Sequence, residues 1–406
     1  MNSVDASNRL TRNDALPRRH FDGIICFGGI DWWYHSRGHY DPRMMLEFAK
    51  HVPVLYVNSI GVRSPSPAEG KMFVRRIWRK LRSLGRGGVC VAPRFRVHSP
   101  IVPPRLKGGL WARLGAAQVR RQAQRMGMRH PLVWIACPPA VAMLSHLDPA
   151  AVVFQRTDRF ESYPGTDPAH IGACVANCLE AADLTIYCNR LLQSEDGMRP
   201  RQATQIDHGL DGDRFLRAVE DGLEPDELRG MPHPRVGYVG GIDRHRFNSS
   251  LFRSVAASLP EVHFFLVGGR SIPDEELAAP NVHLLGPRPY AEVHRYMAAA
   301  DVLIIPMPDN EWIKYANPVK LKEYLAVGRP VVTTNNVEVD ELREFVHSAN
   351  SPAEFAAAIR VALGAPHDPR AGQAHLRAHT WSAKAEQVLQ ALAELGVRSG
   401  LDKEQP

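Results

Sequence analysis

From Gly70 to Leu147 the chain contains no aspartate or glutamate. The same stretch holds sixteen lysines and arginines, whereas a solvated protein face usually mixes both signs. No Cys-x-x-Cys pair occurs among the six cysteines, which excludes a zinc ribbon and a dithiol redox motif. Most of the cysteines (Cys26, Cys90, Cys137, Cys174, Cys178 and Cys188) lie in apolar runs, where a free thiol acts as a small hydrophobe. A reducing, cytoplasmic setting is therefore expected. No apolar run reaches the ~18 residues that would suggest a membrane span. Residues 1–20 are polar and of mixed charge, without a signal-peptide core, and are expected to form a disordered tail.

The 406 residues carry a net charge of +7, which favours an anionic partner. Short apolar runs alternate with helical segments through the whole chain. Strands are expected at Gly23–Phe27, Val52–Val57, Leu132–Ala136, Ala151–Phe154, Leu184–Cys188 and Ala203–Ile206. A second series is expected at Val236–Val239, His263–Val267, Val282–Leu285, Val302–Ile305 and Val331–Thr333. Such runs between helices predict parallel sheets covered on both faces. The expected fold is α/β, with two doubly wound, Rossmann-like domains facing a cleft. The first is assigned to 21–210 and the second to 235–380. The charged, Gly- and Pro-bearing segment 211–234 reads as the linker. A last helix is expected over 381–400.

Ligands of open α/β sheets sit beyond the carboxyl ends of the strands, so motifs that follow strands carry the functional reading. In "YANPVKLKEYLAVGRPVVTT", Asn317 suits a helix cap and Pro318 the first helical position. Gly328 suits the left-handed position after the helix. Lys320 opposes the helix dipole in the first turn, unless a phosphate is bound there. Val319 would share in that amide site, and Glu323, one turn deeper, suits ribose hydroxyls. An ordinary surface Lys–Glu pair is the competing reading. In "VGYVGGIDRHRFN", Gly240 and Gly241 end a strand and let backbone amides approach phosphate. Arg244 and Arg246 there suit a phosphate or a sugar carboxylate. The stretch is neither Gly-x-Gly-x-x-Gly nor a P-loop.

In "VVFQRTDRFESYPG", Asp158 follows a strand and suits a general base. Glu161 competes for that role, and a turn cap is the plain alternative. "FGGIDWWYHSRGHYDPR" offers Trp32 or Trp33 for stacking on a sugar, with His35 and His39 beside them. The spacing of the two histidines resembles a metal pair, but no partner carboxylate is evident and no metal is expected. Asp211-Gly212-Asp213 has the form of an Asp-x-Asp metal motif and is read as structural. "KMFVRRIWRKLRSLGRGG", from Lys71, interleaves apolar and basic residues as a membrane-surface helix does. A solvated helix face and a nucleic-acid patch are the alternatives.

Together these motifs resemble a GT-B glycosyltransferase. "NPVKLKEYLAVGRPVV" is similar to that fold's nucleotide-sugar signature, and "HGLDGDRF" to its passage between domains. The resemblance covers Phe21 to about Leu395. It implies that Glu323 holds the donor ribose, that Lys320 with the Gly240–Gly241 turn holds the diphosphate, and that the last helix, over 381–400, crosses back to the first domain. The retaining family four carries two glutamates eight apart, but Tyr315 stands eight before Glu323 and Glu311 is off register. "FQRTD" resembles the context of the base in inverting, xanthan-type glucuronosyltransferases, and Asp158 matches it. "NPVKLKEYLA" also resembles teichuronic-acid-type polysaccharide glycosyltransferases.

The resemblance implies transfer of a sugar, UDP-linked by expectation, to a lipid-linked glycan during cell-surface polysaccharide synthesis. Inversion through Asp158 is expected, without a cofactor or metal. The enzyme would be cytoplasmic, held on an anionic membrane surface through Lys71 to Arg129, and would bind no nucleic acid. A retaining transferase and a non-catalytic anion- or nucleic-acid-binding protein remain as alternatives.

Overall fold

A computed structural model of the chain describes residues 19–34, 39–62, 71–103, 109–163, 165–336, 339 and 341–400, the side chains of 71–77 excepted. The first domain runs through β1 (Arg19–Phe21), β2 (Ile24–Phe27), α1 (Tyr40–Phe48), β3 (Val54–Val57), α2 (Lys71–Gly85), β4 (Gly88–Ala92) and β5 (Phe95–His98). It continues through α3 (Gly109–Arg125), β6 (Leu132–Ile135), β7 (Ala151–Arg156), α4 (Pro168–Ala181), β8 (Leu184–Tyr187), α5 (Arg190–Asp196) and β9 (Ala203–Gln205). Eight of these strands form one sheet in the order β4-β5-β3-β2-β6-β7-β8-β9. All of its pairs are parallel except the β4–β5 hairpin. The central strands are buried along their whole length, as strands covered on both faces require.

The second domain follows with α6 (Gly212–Leu216), β10 (Arg235–Val239), α7 (Ser249–Ser258), β11 (His263–Val267), β12 (Val282–Gly286), α8 (Val293–Ala298) and β13 (Val302–Ile305). Next come α9 (Glu311–Lys314), α10 (Val319–Val327), β14 (Val331–Thr333), β15 (His347–Ser348), α11 (Pro352–Gly364) and α12 (Arg370–Arg377). Its sheet is parallel throughout, in the order β12-β11-β10-β13-β14-β15. In each sheet the chain leaves from a central strand in one direction and then returns to its other side. The reversals fall between β2 and β6 and between β10 and β13, which places a crevice at the carboxyl ends of those strands.

Segment 211–234 is not a free linker. Leu210, Phe215, Ala218, Leu228 and Met231 are buried with Val239, Phe265 and Leu321 in the second domain's core. Its charged residues are the outer layer of packed structure, and the passage between domains lies before it. The last helix, α13 (Trp381–Glu394), does cross back. Its Trp381, Ala385, Val388 and Leu392 are buried with Phe48, Trp134 and Ile206 of the first domain. A final strand, β16 (Val397–Ser399), pairs in parallel with β1. Arg19 and His20 therefore lie in a strand rather than in a tail, while 1–18 and 401–406 fall outside the described residues.

Candidate functional site

On the second-domain side, β10 delivers Gly240 and Gly241 to the crevice, facing the start of α10. Asn317 does not cap α10. Pro318 occupies the cap position, and the Asn317 amide instead donates to the Cys188 carbonyl at 2.9 Å, across the domain boundary. A tertiary partner for that side chain has displaced the local cap. Val319 and Lys320 form the first turn, and Gly328 ends the helix in the left-handed conformation with φ of 81°.

The Lys320 ammonium donates to the Tyr238 hydroxyl at 2.7 Å and stands 4.4 Å from the centre of that ring. A β-carbon on Gly240 would lie 2.5 Å from it, so the glycine leaves the ammonium its place beside the loop. Burial, reinforced by the Arg246 charge, lowers the Lys320 pKa from 10.5 to about 8. Glu323 is buried and accepts from the Tyr290 hydroxyl at 2.7 Å. Burial pushes its carboxyl up, against the Tyr290 hydrogen bond and the Lys320 charge. Arg43, from α1 of the first domain, lies 4.9 Å from the centre of the Tyr290 ring and 3.7 Å from the Asp211 carboxylate. The Asp211 motif thus serves a domain contact.

Beside these elements a cavity of about 610 Å³ opens between the domains. Its walls include Gly29 after β2, Ala136 after β6 and Asp158 after β7, as the strand order requires. Arg246 and Trp312 close it from the second domain, with the guanidinium 4.8 Å from the centre of the indole. Arg246 is the link between the two sides, since it lines the cavity and also acts on Lys320. Asp158 is pushed above its ordinary 3.8 by burial, against the Tyr163 hydrogen bond and the charges of Arg246 and His39. A carboxylate so placed accepts a proton more readily than one in water.

Glu161 lacks that freedom, because Arg156 donates to both of its oxygens at 2.8 Å. Burial would raise its pKa, but the hydrogen bonds and charge of Arg156 hold it below the ordinary value.

The other expected residues divide. His39 lines the cavity, while His35 lies outside the described residues. Trp32 is no sugar platform. It is 3% exposed and packs on Phe95 and Tyr56 in the first core, with ring centres 4.8 and 5.4 Å away. Trp33 carries the Arg86 guanidinium over its ring at 4.4 Å. Arg244 points away from the cavity and pairs with Glu276, and Arg246 takes the position facing it. Tyr315, eight before Glu323, is buried and joins the domains. Its hydroxyl donates to Glu195 at 2.6 Å and accepts from Arg159 at 2.5 Å.

Sequence reasoning missed Tyr290, Trp312, Tyr34, Arg79 and Lys80 as site residues. Tyr34 lay within the aromatic motif after the first strand, and Arg79 and Lys80 within the acid-free stretch, whereas Tyr290 and Trp312 carried no signal. Among the described residues no group of three or more His, Cys, Asp or Glu is placed to hold a metal.

Two doubly wound domains, a cleft at their reversal points and a returning C-terminal helix define the GT-B architecture of glycosyltransferases. Residues 233–364 match the family described as glycosyl transferases group 1. The chain is 30% identical over 175 residues to the putative teichuronic acid biosynthesis glycosyltransferase TuaH of Bacillus subtilis strain 168. That match takes in 38% of this chain and 44% of the relative, so it spans less than half the relative's length.

Solved structures agree over far more of the chain. Sucrose-phosphate synthase from Thermosynechococcus elongatus superposes with a TM-score of 0.64 at 17% identity, covering 92% of this chain and 99% of that one. Anabaena HepE, in complex with UDP and glucose, gives 0.63 at 16% identity, with 92% and 100% covered. These likenesses establish the fold.

Proposed function

We propose that this chain is a glycosyltransferase that moves a sugar from a UDP-linked donor to a lipid-linked glycan acceptor, with inversion, in cell-surface polysaccharide synthesis. The observation that carries this reading is the pairing of a half-buried, proton-attracting Asp158 on one wall of the cleft with Arg246 on the other, whose charge acts in turn on Lys320 at the start of α10. The group 1 match over the second domain and the likeness to TuaH support the class of reaction and the polysaccharide setting. HepE, whose structures hold UDP and UDP-glucose, supports UDP as the carrier.

In this reading Asp158 takes the proton of the acceptor hydroxyl as its oxygen attacks the anomeric carbon. The bond from that carbon to the diphosphate breaks, and UDP departs with the electron pair. Lys320, the first-turn amides of α10 and the Gly240–Gly241 turn stabilise the charge developing on the diphosphate. Glu323, held by Tyr290, receives the ribose hydroxyls. These groups meet the diphosphate without a metal. Glu161, neutralised by Arg156, takes no part.

The acceptor would arrive from an anionic membrane surface. Trp78 and Leu81 on α2 are 56% and 61% exposed, and Leu110, Trp111 and Leu114 on α3 are exposed beside a high density of arginine. Basic and apolar groups together suit such a surface. Among the described residues no helix is long and apolar enough to cross a membrane.

The test is transfer from UDP-sugars to a lipid-linked acceptor, with the anomeric configuration of the product read by proton NMR. An inverted product, and loss of turnover in Asp158→Asn by about 10²–10⁴-fold, is expected. A product with retained configuration would overturn the assignment of Asp158 as base.

A further inference from the structure

The cavity that Asp158 lines has a second charged wall, which the donor reading does not use. Arg79 and Lys80, from α2, face it together with Tyr34, Ser59 and Ile60. The Lys80 ammonium is held by the Ser59 carbonyl at 2.9 Å, and the Arg79 guanidinium lies 5.4 Å from the centre of the Tyr34 ring. No ion pair to a described carboxylate accompanies these contacts. Of the three carboxylates on the same walls, Asp158 is hydrogen-bonded by Tyr163, and the other two hold hydrogen bonds of their own. Asp41 accepts from the Tyr56 hydroxyl at 2.6 Å and from the Gly29 amide at 2.9 Å, and Asp31 accepts from the Trp33 amide at 3.0 Å. Burial lowers the Lys80 pKa, and the Asp31 charge offsets this only in part. An ammonium kept in a desolvated wall on a neutral carbonyl is a costly arrangement, and one that an entering anion would relieve.

The helix that carries this pair also shows where such an anion would come from. Residues of a helix turn by about 100° each, so Trp78 and Leu81 share one face while Lys80 points to the opposite side. Trp78 and Leu81 are exposed. One helix therefore offers an apolar rim outward and two cations inward, the pattern expected for a molecule with an apolar chain and a charged head.

We propose that Arg79 and Lys80 form a phosphate subsite for the acceptor, which is accordingly a lipid bearing a phosphate or diphosphate next to its sugar. The proposal rests on the donor reading above and specifies the acceptor class of the same cavity. The apolar chain leaves along Trp78 and Leu81, the phosphate sits on Arg79 and Lys80, and the sugar hydroxyl is presented to Asp158.

The test uses the full-length protein saturated with UDP, into which farnesyl diphosphate, farnesol and inorganic pyrophosphate are titrated separately. Farnesyl diphosphate is expected to bind, more tightly than either of the others. Lys80→Gln and Arg79→Gln are each expected to weaken it by about tenfold or more, the worth of a charge-assisted hydrogen bond. Their melting temperatures and UDP affinities are expected to match those of the wild type. Farnesyl diphosphate binding that neither substitution changes would overturn the subsite. Pyrophosphate binding as tight as that of farnesyl diphosphate would overturn the lipid assignment in favour of a free-anion site. Wild-type protein that binds UDP but not farnesyl diphosphate would remove the subsite alone, whereas failure to bind UDP would remove the donor reading with it.

Discussion

Lys320→Met separates what a residue does for a ligand from what it does for the fold. Methionine keeps the length and apolar bulk of the lysine stem and removes the charge. In the ligand-free protein that charge is a burden. Its pKa lies near 8 in the folded chain against 10.5, a penalty on the charged form of at most about 3 kcal/mol. The folded value lies below the unfolded one, so the unfolded chain holds more protons between pH 8 and 10.5 and the penalty is fully present at neutral pH. Tyr238 keeps its own hydrogen bond to the Gly241 carbonyl at 2.7 Å, so the substitution strands no hydroxyl proton. The melting temperature of Lys320→Met is therefore expected to equal or exceed that of the wild type.

UDP binding should move the other way. A charge-assisted hydrogen bond to the diphosphate contributes about 1.5–3 kcal/mol, so the dissociation constant should rise by about ten- to a hundredfold. A second readout follows from the same pKa. Near pH 8 about half of the free Lys320 is neutral, and bound diphosphate favours the charged form, so the wild type should take up about half a proton on binding UDP. Titration calorimetry in buffers of different ionisation enthalpy measures that uptake, and Lys320→Met should abolish it. A variant that binds UDP within about threefold of the wild type, or that keeps the proton uptake, would refute the assignment of Lys320 to the diphosphate.

Glu323→Gln should weaken UDP binding and leave binding of inorganic pyrophosphate unchanged, because the ribose and the diphosphate are assigned to different groups; calorimetry reads both. Turnover should fall on acidification with an apparent pKa above the 3.8 of an ordinary aspartate, because burial raises Asp158; the pH dependence of the rate at saturating donor checks this. Stability should fall as the pH drops below 6.5. Burial, followed by the Lys322 and Lys384 charges respectively, lowers His208 to about 3 and His379 to about 4, so the unfolded chain binds protons first and pulls the equilibrium. Melting temperatures between pH 7 and 4 test this, and His208→Gln should flatten the decline. Trp78→Ser with Trp111→Ser should reduce sedimentation with anionic phospholipid vesicles, an interaction that should also weaken in high salt.

The parallel strands were legible because each is a short, uninterrupted apolar run, the form taken by a strand buried on both faces. The order of strands was not, since pairing across long separations leaves no local trace. The parallel pairing of Arg19–Phe21 with Val397–Ser399 joins the two ends of the described chain. The edge hairpin over 88–98 was hidden in the basic stretch, where Gly88–Ala92 is only half-buried or exposed. Segment 211–234 was misread because its surface charges were more conspicuous than the few apolar residues, such as Phe215 and Leu228, that anchor it.

Within the site, the reading of Lys320 and Glu323 came from a local conflict, a cation at the positive end of a helix. Positions decided by direction were not accessible. Arg244 and Arg246 lie two residues apart in one turn, and only the folded turn sends Arg246 to the cavity and Arg244 to Glu276. Trp32 follows a glycine pair at a strand end, as a sugar platform would. It turns inward because its backbone amide donates to Asn58 at 2.8 Å and its ring meets Phe95.

The central claim is that the cleft binds a nucleoside diphosphate through Lys320, Glu323 and the Gly240–Gly241 turn. It is tested most directly by calorimetric titration of UDP, GDP and ADP into the wild type and Glu323→Ala, at moderate salt with a chelator present. The account predicts selective binding of UDP, weakened by the substitution. Folded wild-type protein that binds none of the three nucleotides would contradict it.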